Sequence, residues 1–336
     1  MTTTESHRRF VLAARPSGEP RESDFRIESA PLRQPGAGEI AARVAFLSVD
    51  PYMRSRMRDA PSYAPPVGLG ETMTGAGVAR VTASHHPAFS AGDWIAGITG
   101  WQSHWVGEPR GFFRIDPELA PPSAYLGVLG HTGLTAYFGL LDIGHPKPGE
   151  TLVVSGAAGA VGSIAGQIGK IHGCRVVGVA GADEKVRWVV NELGFDAAFN
   201  YKTVSDYRRH LAPLCPAGID IYFDNTGGPV SDAVMALLNV KARIAVCGQI
   251  SQYNLEEAAS GPRLDWLLIV KRARKEGFLV TDYAARFPEG RAALAAWLRE
   301  GRLQHREHFV DGFENTPRAF LDMMRGENIG KTIVRL

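Results

Sequence analysis

The sequence predicts an α/β protein in which a doubly wound parallel sheet stands beside a β-rich module built from both ends of the chain. Three observations predict it. A strand, a glycine-rich turn, a helix and a second strand follow one another between Gly149 and Lys185. Beyond them, β-branched apolar runs alternate with helical stretches as far as Thr281, the rhythm of parallel strands joined by crossover helices. Before it, short alternating runs punctuated by glycine and proline describe strands with no helices between them, and the tail after it is mixed, with a helix over Thr316–Arg325 between two strand-like runs.

Residues from about Phe10 to Pro121 carry the first strands. Phe25–Ile27 and Glu39–Val49 alternate as half-buried strands do, and Gly75–Val81 and Asp93–Gly97 are short strands between turns. Strands packed this closely without helices predict a barrel-like module. Near Ala124 the character changes. A helix over Leu126–Leu141 puts Leu134, Tyr137, Phe138 and Leu141 on one face, and His145-Pro146-Lys147-Pro148-Gly149 breaks it.

Thr151–Ser155 is the first strand of the parallel sheet. Val161, Ile164, Ile168 and Ile171 then recur at helical spacing, and Arg175–Val179 is the second strand. Asp183 reads as the N-cap of a helix over Glu184–Leu193. Ala197–Asn200 is a third strand and Ile219–Asp224 a fourth. Val230–Leu238 is helical, Arg243–Cys247 is the fifth strand and Gly277–Thr281 the sixth. Ala292–Arg299 is a helix stopped by Gly301 in the C′ role. His308–Val310, Thr316–Arg325 and Thr332–Arg335 return to the mixed character of the first segment. The β-rich module is therefore expected to be discontinuous, residues 1–125 and 300–336, around a cofactor domain of residues 126–299.

Composition excludes several classes. A length of 336 residues allows two domains, and 45% hydrophobic with 21% charged residues describes an ordinary soluble protein. A net charge of +2 and the absence of a lysine/arginine stripe give no electrostatic case for nucleic acid. Met1–Pro16 has no apolar core fit for a signal peptide, and no run approaches the ~18 residues of a membrane span. Cys174, Cys215 and Cys247 are scattered, which suits a reducing compartment, and the expected location is the cytoplasm. No Cys-x-x-Cys pair or histidine spacing offers a zinc site, and no Gly-x-Ser-x-Gly elbow follows a strand, so neither metal nor hydrolase chemistry is expected.

A glycine-rich turn that feeds a helix N-terminus lets phosphate oxygens approach bare backbone N–H groups and the positive end of the helix dipole. NAD sites carry a carboxylate at the end of the second strand for the ribose hydroxyls. Here the strand ends Val179-Ala180-Gly181-Ala182, with no carboxylate, and Lys185 follows. Spacing alone leaves Lys185 open between a 2′-phosphate contact and a solvated helix lysine. After the fourth strand comes Asp224-Asn225-Thr226-Gly227-Gly228, and after the fifth Cys247-Gly248-Gln249-Ile250-Ser251-Gln252-Tyr253-Asn254. These strand ends face the cofactor crevice of a doubly wound sheet, although ordinary turns have the same composition.

These residues resemble the zinc-independent medium-chain dehydrogenase/reductase superfamily, and within it the NADPH-dependent alkenal double-bond reductases, the branch of prostaglandin reductase and curcumin reductase. The resemblance is carried by Leu47–Arg54, Gly133–Leu140, Gly156–Ser163, Asp183–Val186, Phe199–Thr203, Tyr222–Asn225, Gly248–Asn254, Glu276–Phe278 and Asn328–Thr332, in the family's order. It implies a Rossmann cofactor domain, a GroES-like β-barrel domain and a homodimer. It also implies NADP(H), with Gly159, Ala160, Val161 and Gly162 on the pyrophosphate and Lys185 and Tyr201 on the 2′-phosphate. Asn225, the loop Cys247, Gly248, Gln249, Ile250, Ser251, Gln252 and Tyr253, the run Phe278, Leu279 and Val280, and Asn328 would frame ribose and nicotinamide.

The reaction implied is hydride transfer to the β-carbon of an α,β-unsaturated ketone or aldehyde. Tyr253 matches the residue that would polarise the carbonyl, and it would serve equally as a tyrosine that only orients the ribose. Tyr52 would line the substrate pocket or pack as an aromatic. The family's Met-Pro is replaced by His131-Thr132, where His131 would tune the pocket, donate a proton or cap the following helix. Quinone reduction and a catalytically silent NADPH-binding protein are the alternative readings.

Overall fold

A computed structural model describes residues 6–336; the readings that begin at Met1 lie in part outside the described residues. The chain folds as two compact units. The first runs to Leu126 and takes in Glu307–Asn328 and Thr332–Leu336, and the second comprises Gly127–Arg306 and Ile329–Lys331.

In the first unit, β1 (Ser6–Leu12) and β2 (Phe25–Pro31) form an antiparallel ribbon, with Phe10 opposite Ile27. Strands β3 (Ile40–Ser48), β4 (Ala76–Ser84), β5 (Trp94–Ile98), β6 (His104–Gly107) and β7 (Phe113–Arg114) follow, with the short helix α1 (Tyr52–Arg56) after β3. The tail adds β14 (Glu307–Asp311), helix α9 (Thr316–Met324) and β15 (Lys331–Arg335). The sheet runs β14-β15-β3-β4-β5-β7, with β6 on the side of β3, so the barrel-like module is an antiparallel sheet whose pairing has two ends. Its core centres on Trp101, fully buried between Phe25 at 5.3 Å and Phe320 at 5.8 Å. Gly75 lets the chain pass beneath that indole, because a Cβ there would lie 2.9 Å from the ring.

The second unit begins with α2 (His131–Phe138), then β8 (Thr151–Ser155), α3 (Gly162–Ile171), β9 (Arg175–Ala180), α4 (Asp183–Asn191) and β10 (Ala197–Asn200). It continues through α5 (Tyr207–Leu214), β11 (Ile219–Asp224), α6 (Gly228–Met235), β12 (Leu238–Val246), α7 (Asp265–Lys271), β13 (Arg274–Gly277) and α8 (Phe287–Arg299). Every pairing is parallel and the order is β10-β9-β8-β11-β12-β13. That is the doubly wound arrangement, with its direction of winding reversed between β8 and β11. Central strands are apolar on both faces because helices cover both: β8 is buried at all five positions.

Several expectations are corrected. The helix placed over Leu126–Leu141 begins at His131, since Gly127 and Gly130 interrupt it, and it widens into π turns over Gly139–Gly144. Gly139 there admits Phe278, whose ring would lie 2.4 Å from a Cβ. Asp183 is the first residue of α4, not its N-cap; Ala182 holds that position, and the Asp183 carboxylate accepts from Asn200 instead, at 2.8 Å. Helix α6 starts at Gly228 and ends at Met235, earlier at both ends than read, because Pro229 fits a first turn and Leu238 already belongs to β12. The sixth strand is Arg274–Gly277, not Gly277–Thr281. As an exposed edge it is charged, while the apolar run that resembled a strand turns inward after it. Gly301 does end α8, with φ 68° and the Arg302 N–H bonded to Trp297 O at 2.9 Å, a Schellman closure.

Helix α3 lies close on the sheet through Gly166, where a Cβ would fall 1.9 Å from the Phe195 ring. Alanine gains up to about 1 kcal/mol of helix propensity, but displacing a buried ring costs about 1–3 kcal/mol. Gly166→Ala is therefore expected to lower the urea midpoint, and an unchanged midpoint would show that Phe195 has room to move.

Candidate functional site

The turn after β8 is closed by its own backbone. Gly156 takes φ 60°, Gly159 N–H returns to Gly156 O at 2.9 Å, and Ala157 N–H bonds Val179 O of the next strand at 3.0 Å. A Cβ on Gly162 would lie 2.2 Å from Gly156 O, so the chain can enter α3 only with glycine there. Among the described residues, the N–H groups of Ala160, Val161 and Gly162 take no backbone acceptor. They stand at the first turn of a ten-residue helix, where orphan donors and the dipole together favour an anion. Gly330, at φ 74°, docks alongside: its N–H reaches Ala158 O at 2.8 Å and it bridges Gly159. These residues fit a pyrophosphate.

The far side of the turn is basic. Strand β9 ends in Gly181, and the Tyr201 ring lies across it, 3.0 Å from where a Cβ would stand. Lys185 is half-buried in the first turns of α4. Burial first, and then the neighbouring Lys202, push its pKa below the ordinary lysine value, with Glu184 opposing. Asn200 joins the two lysine segments, donating to Asp183 and accepting from Lys202 N–H at 3.0 Å. Two cations held near each other, with no carboxylate at the β9 end, suit a dianion. Lys202 was missed by sequence reasoning, because its proximity to Lys185 arises only when β10 pairs with β9.

At the ends of β11 and β12 the two loops are stitched together. Asn225 donates its side-chain amide to Ser155 O at 2.7 Å and its backbone N–H to Ser155 Oγ at 2.9 Å. Cys247 N–H bonds Asp224 O at 2.8 Å, and Ser251 donates from both N and Oγ to Thr226 O, at 3.1 and 2.6 Å. A 3₁₀ turn over Ile250–Gln252 follows, and the Tyr253 hydroxyl accepts the Gln249 N–H at 3.3 Å, above Gly248. Gln249 and Gln252 pack against Gly227. Burial, then the Asp224 charge, push the Cys247 thiol up to about 12, so it is no nucleophile.

Not every expected residue faces the crevice. Phe278 packs edge-on against Phe223 at 6.4 Å and into the space left by Gly139, while Val280 is buried and Leu279 half-buried. His131 is exposed at the first position of α2. Gly130 holds the N-cap, so His131 is not the cap. Tyr52 and Asn328 belong to the first unit. Tyr52 opens α1 half-buried, in hydrogen-bond contact with Thr74. Burial and the charge of Asp50 hold its hydroxyl protonated far above the usual range. Asn328 is half-buried between α9 and β15.

Among the described residues no three His, Cys, Asp or Glu side chains gather in metal-binding geometry, and no helix is long and apolar enough to cross a membrane.

Comparison with known proteins adds to this geometry. Residues 8–115 match the family model described as the N-terminal domain of oxidoreductase, and residues 160–296 the model described as zinc-binding dehydrogenase. The NADPH-dependent curcumin reductase of Escherichia coli is 47% identical over 99% of this chain and 97% of its own. The NADP(+)-dependent 2-alkenal reductase of Nicotiana tabacum is 41% identical over 99% and 98%. The solved structure of CurA from Vibrio vulnificus in complex with NADPH superposes with a TM-score of 0.94 at 46% identity, covering 98% of each chain.

Gly162→Ala tests the turn. Its Cβ meets backbone, which cannot step aside as a side chain can, so the affinity for NADPH is expected to fall more than about tenfold in a fluorescence titration, a loss of about 1.4 kcal/mol or more. Binding within twofold of wild type would show that the pyrophosphate lies elsewhere.

Proposed function

The chain belongs to the medium-chain dehydrogenase/reductase family, in its zinc-independent branch, and from that premise we propose that it reduces the carbon–carbon double bond of α,β-unsaturated ketones and aldehydes with NADPH. The observation that carries the cofactor half is the pairing of bare N–H groups at the start of α3 with Lys185, Lys202 and Tyr201 beside a strand end that has no carboxylate. The reaction half rests on kinship with a curcumin reductase and a 2-alkenal reductase across nearly the whole chain.

When bound, NADPH would supply the hydride that reaches the β-carbon. The protein's part is to hold, orient and polarise. Gly159, Ala160, Val161 and Gly162 would take the pyrophosphate, and Lys185 and Tyr201, with Lys202 beside them, the 2′-phosphate. Asn225 and the loop from Cys247 to Tyr253 would frame the nicotinamide half. As charge builds on the carbonyl oxygen, a hydrogen bond from the Tyr253 hydroxyl stabilises it. A phenol stays protonated at neutral pH, and the Gln249 N–H that it accepts fixes its place. Water can then protonate the α-carbon. Tyr52, His131, Phe278, Leu279, Val280 and Asn328 keep the roles that the resemblance implies.

The protein is further proposed to be a cytoplasmic homodimer. All three cysteines are free thiols, which suits a reducing compartment. Helix α7 exposes Trp266 at 58%, Ile269 at 79% and Val270 at 54%, next in the chain to the edge strand β13. An antiparallel pairing of β13 with its own copy about a twofold centred on Lys275 sets Arg274 against Glu276 twice. Light scattering should report a dimer, and Ile269→Asp should convert it to monomer; a monomeric wild type would end this reading.

An NADPH-oxidation screen over enals, enones, quinones and curcumin-like diketones tests the activity. Turnover confined to quinones would refute the proposal. Lys185→Ala is expected to weaken NADPH binding by about tenfold or more while changing NADH less than about twofold, as loss of a charged hydrogen bond predicts. The sign with pH follows from the lowered Lys185 pKa. Its charge is present below that pKa and lost above it, so NADPH affinity should fall before pH reaches the 10.5 of an ordinary lysine. Lys185→Arg should move that fall upward.

A further inference from the structure

Asp224 is 1% exposed, and among the described residues it makes no ion pair. Its carboxylate is satisfied by neutral donors alone. Oδ1 accepts from Tyr222 OH at 2.9 Å, from the N–H groups of Thr226 and Gly227 at 3.0 and 2.9 Å, and from Ser155 Oγ at 3.2 Å. Oδ2 accepts from Ser231 Oγ at 2.7 Å, on α6. The backbone carbonyl of the same residue takes Cys247 N–H and Gly248 N–H, at 2.8 and 3.1 Å. One residue thus ties together the ends of β8, β11 and β12 and the start of α6.

Burying a carboxylate without a cation is costly, and a neutral side chain would close the turn after β11 at less expense. What the charge adds is direction. Ser155 Oγ accepts the Asn225 N–H, so its own proton must go elsewhere, and the acceptor offered is Asp224. The Ser155 carbonyl holds the Asn225 side-chain amide at 2.7 Å. Both donors of Asn225 are therefore set by Ser155, and the orientation of the Ser155 hydroxyl is set by Asp224.

We propose that Asp224 is a positioning residue for the reaction: acting through Ser155, its carboxylate fixes Asn225 where the nicotinamide half of the dinucleotide binds. The inference rests on the cofactor reading given above. It concerns a residue that touches no ligand, and it predicts that the two halves of the dinucleotide respond differently when the network is cut.

The test compares NADPH with adenosine 2′,5′-bisphosphate, which carries the phosphate-bearing end and no nicotinamide. Ser155→Ala and Asp224→Asn are each expected to weaken NADPH about tenfold, the loss typical of one unsatisfied buried hydrogen bond, while changing the bisphosphate less than about twofold. Ser155→Thr, which keeps the hydroxyl, should restore NADPH binding. The double variant Asp224→Asn/Ser155→Ala should bind no worse than either single one, because the two act along one path. Equal losses for both ligands would mean a general loosening of the fold and would overturn the proposal, as would additive losses or unchanged NADPH binding. Failure of the cofactor reading shows earlier and separately, in a wild-type protein that binds NADPH no better than NADH. Should Asp224→Asn fail to fold, Ser155→Ala carries the same comparison alone.

Discussion

Winding outward from β8 in both directions is the constraint on which the rest of this unit depends. Helices that cross to β9 and those that cross to β11 lie on opposite faces of the sheet, so neither set of helices covers the carboxyl ends where the two directions part. Backbone polar groups in that gap must be satisfied by short loops, by each other or by a ligand. The turn from Gly156 to Gly162 meets the condition partly by bonding to itself, and partly by leaving the first donors of α3 without a backbone acceptor. Asn225 and the loop after β12 satisfy theirs from Ser155, Asp224 and Thr226. Dinucleotide binding follows from what this accounting leaves over.

Charge is distributed around the gap in two ways that have opposite costs. Lys202 lies near Lys185, and Lys185 is partly shielded from water, which disfavours charge on Lys185 until an anion arrives. In the function proposed above, a 2′-phosphate would relieve that unfavourable pairing and a ribose hydroxyl would not. Asp224 is the reverse case. Its partners are complete in the protein alone, and its charge is spent on holding loops still. One end of the crevice is poised for a ligand's charge and the other is already neutralised by donors.

Much of this could be read from the residues, for physical reasons. Strands β8 and β11 are short apolar runs bounded by breakers, and their limits agree with expectation because burial on both faces demands such runs; the edge strand β10 keeps its expected limits with only Phe199 buried. Glycine 162 was legible because a helix entered over a bare turn tolerates little else there. Edges and helix starts were less so. Strand β13 is charged because it faces solvent, and the apolar Phe278–Val280 run beside it, of which Val280 is buried, drew the strand too far along the chain. Lys202 and Ser155 act through neighbours distant in sequence, and no local pattern marks them. The 69 positions between Ser155 and Asp224 are bridged only by the pairing of β8 with β11.

The amino ends of the same strands show why the site can remain loosely built. Arg243 on β12 makes a two-pronged bond to Glu150, at 2.9 and 2.6 Å, and donates to the carbonyls of Gly144 and His145, which end the π turns after α2. Those side chains are only 16% and 19% exposed, so the pair is worth more than a surface ion pair and knits three segments at one point. A sheet clamped at that end holds its register without help from the other. The carboxyl ends are then at liberty to carry left-handed glycines, a half-buried lysine beside a second cation and an unpaired buried carboxylate. Each would be a liability in a unit that relied on those ends for stability, and each serves binding in one that does not.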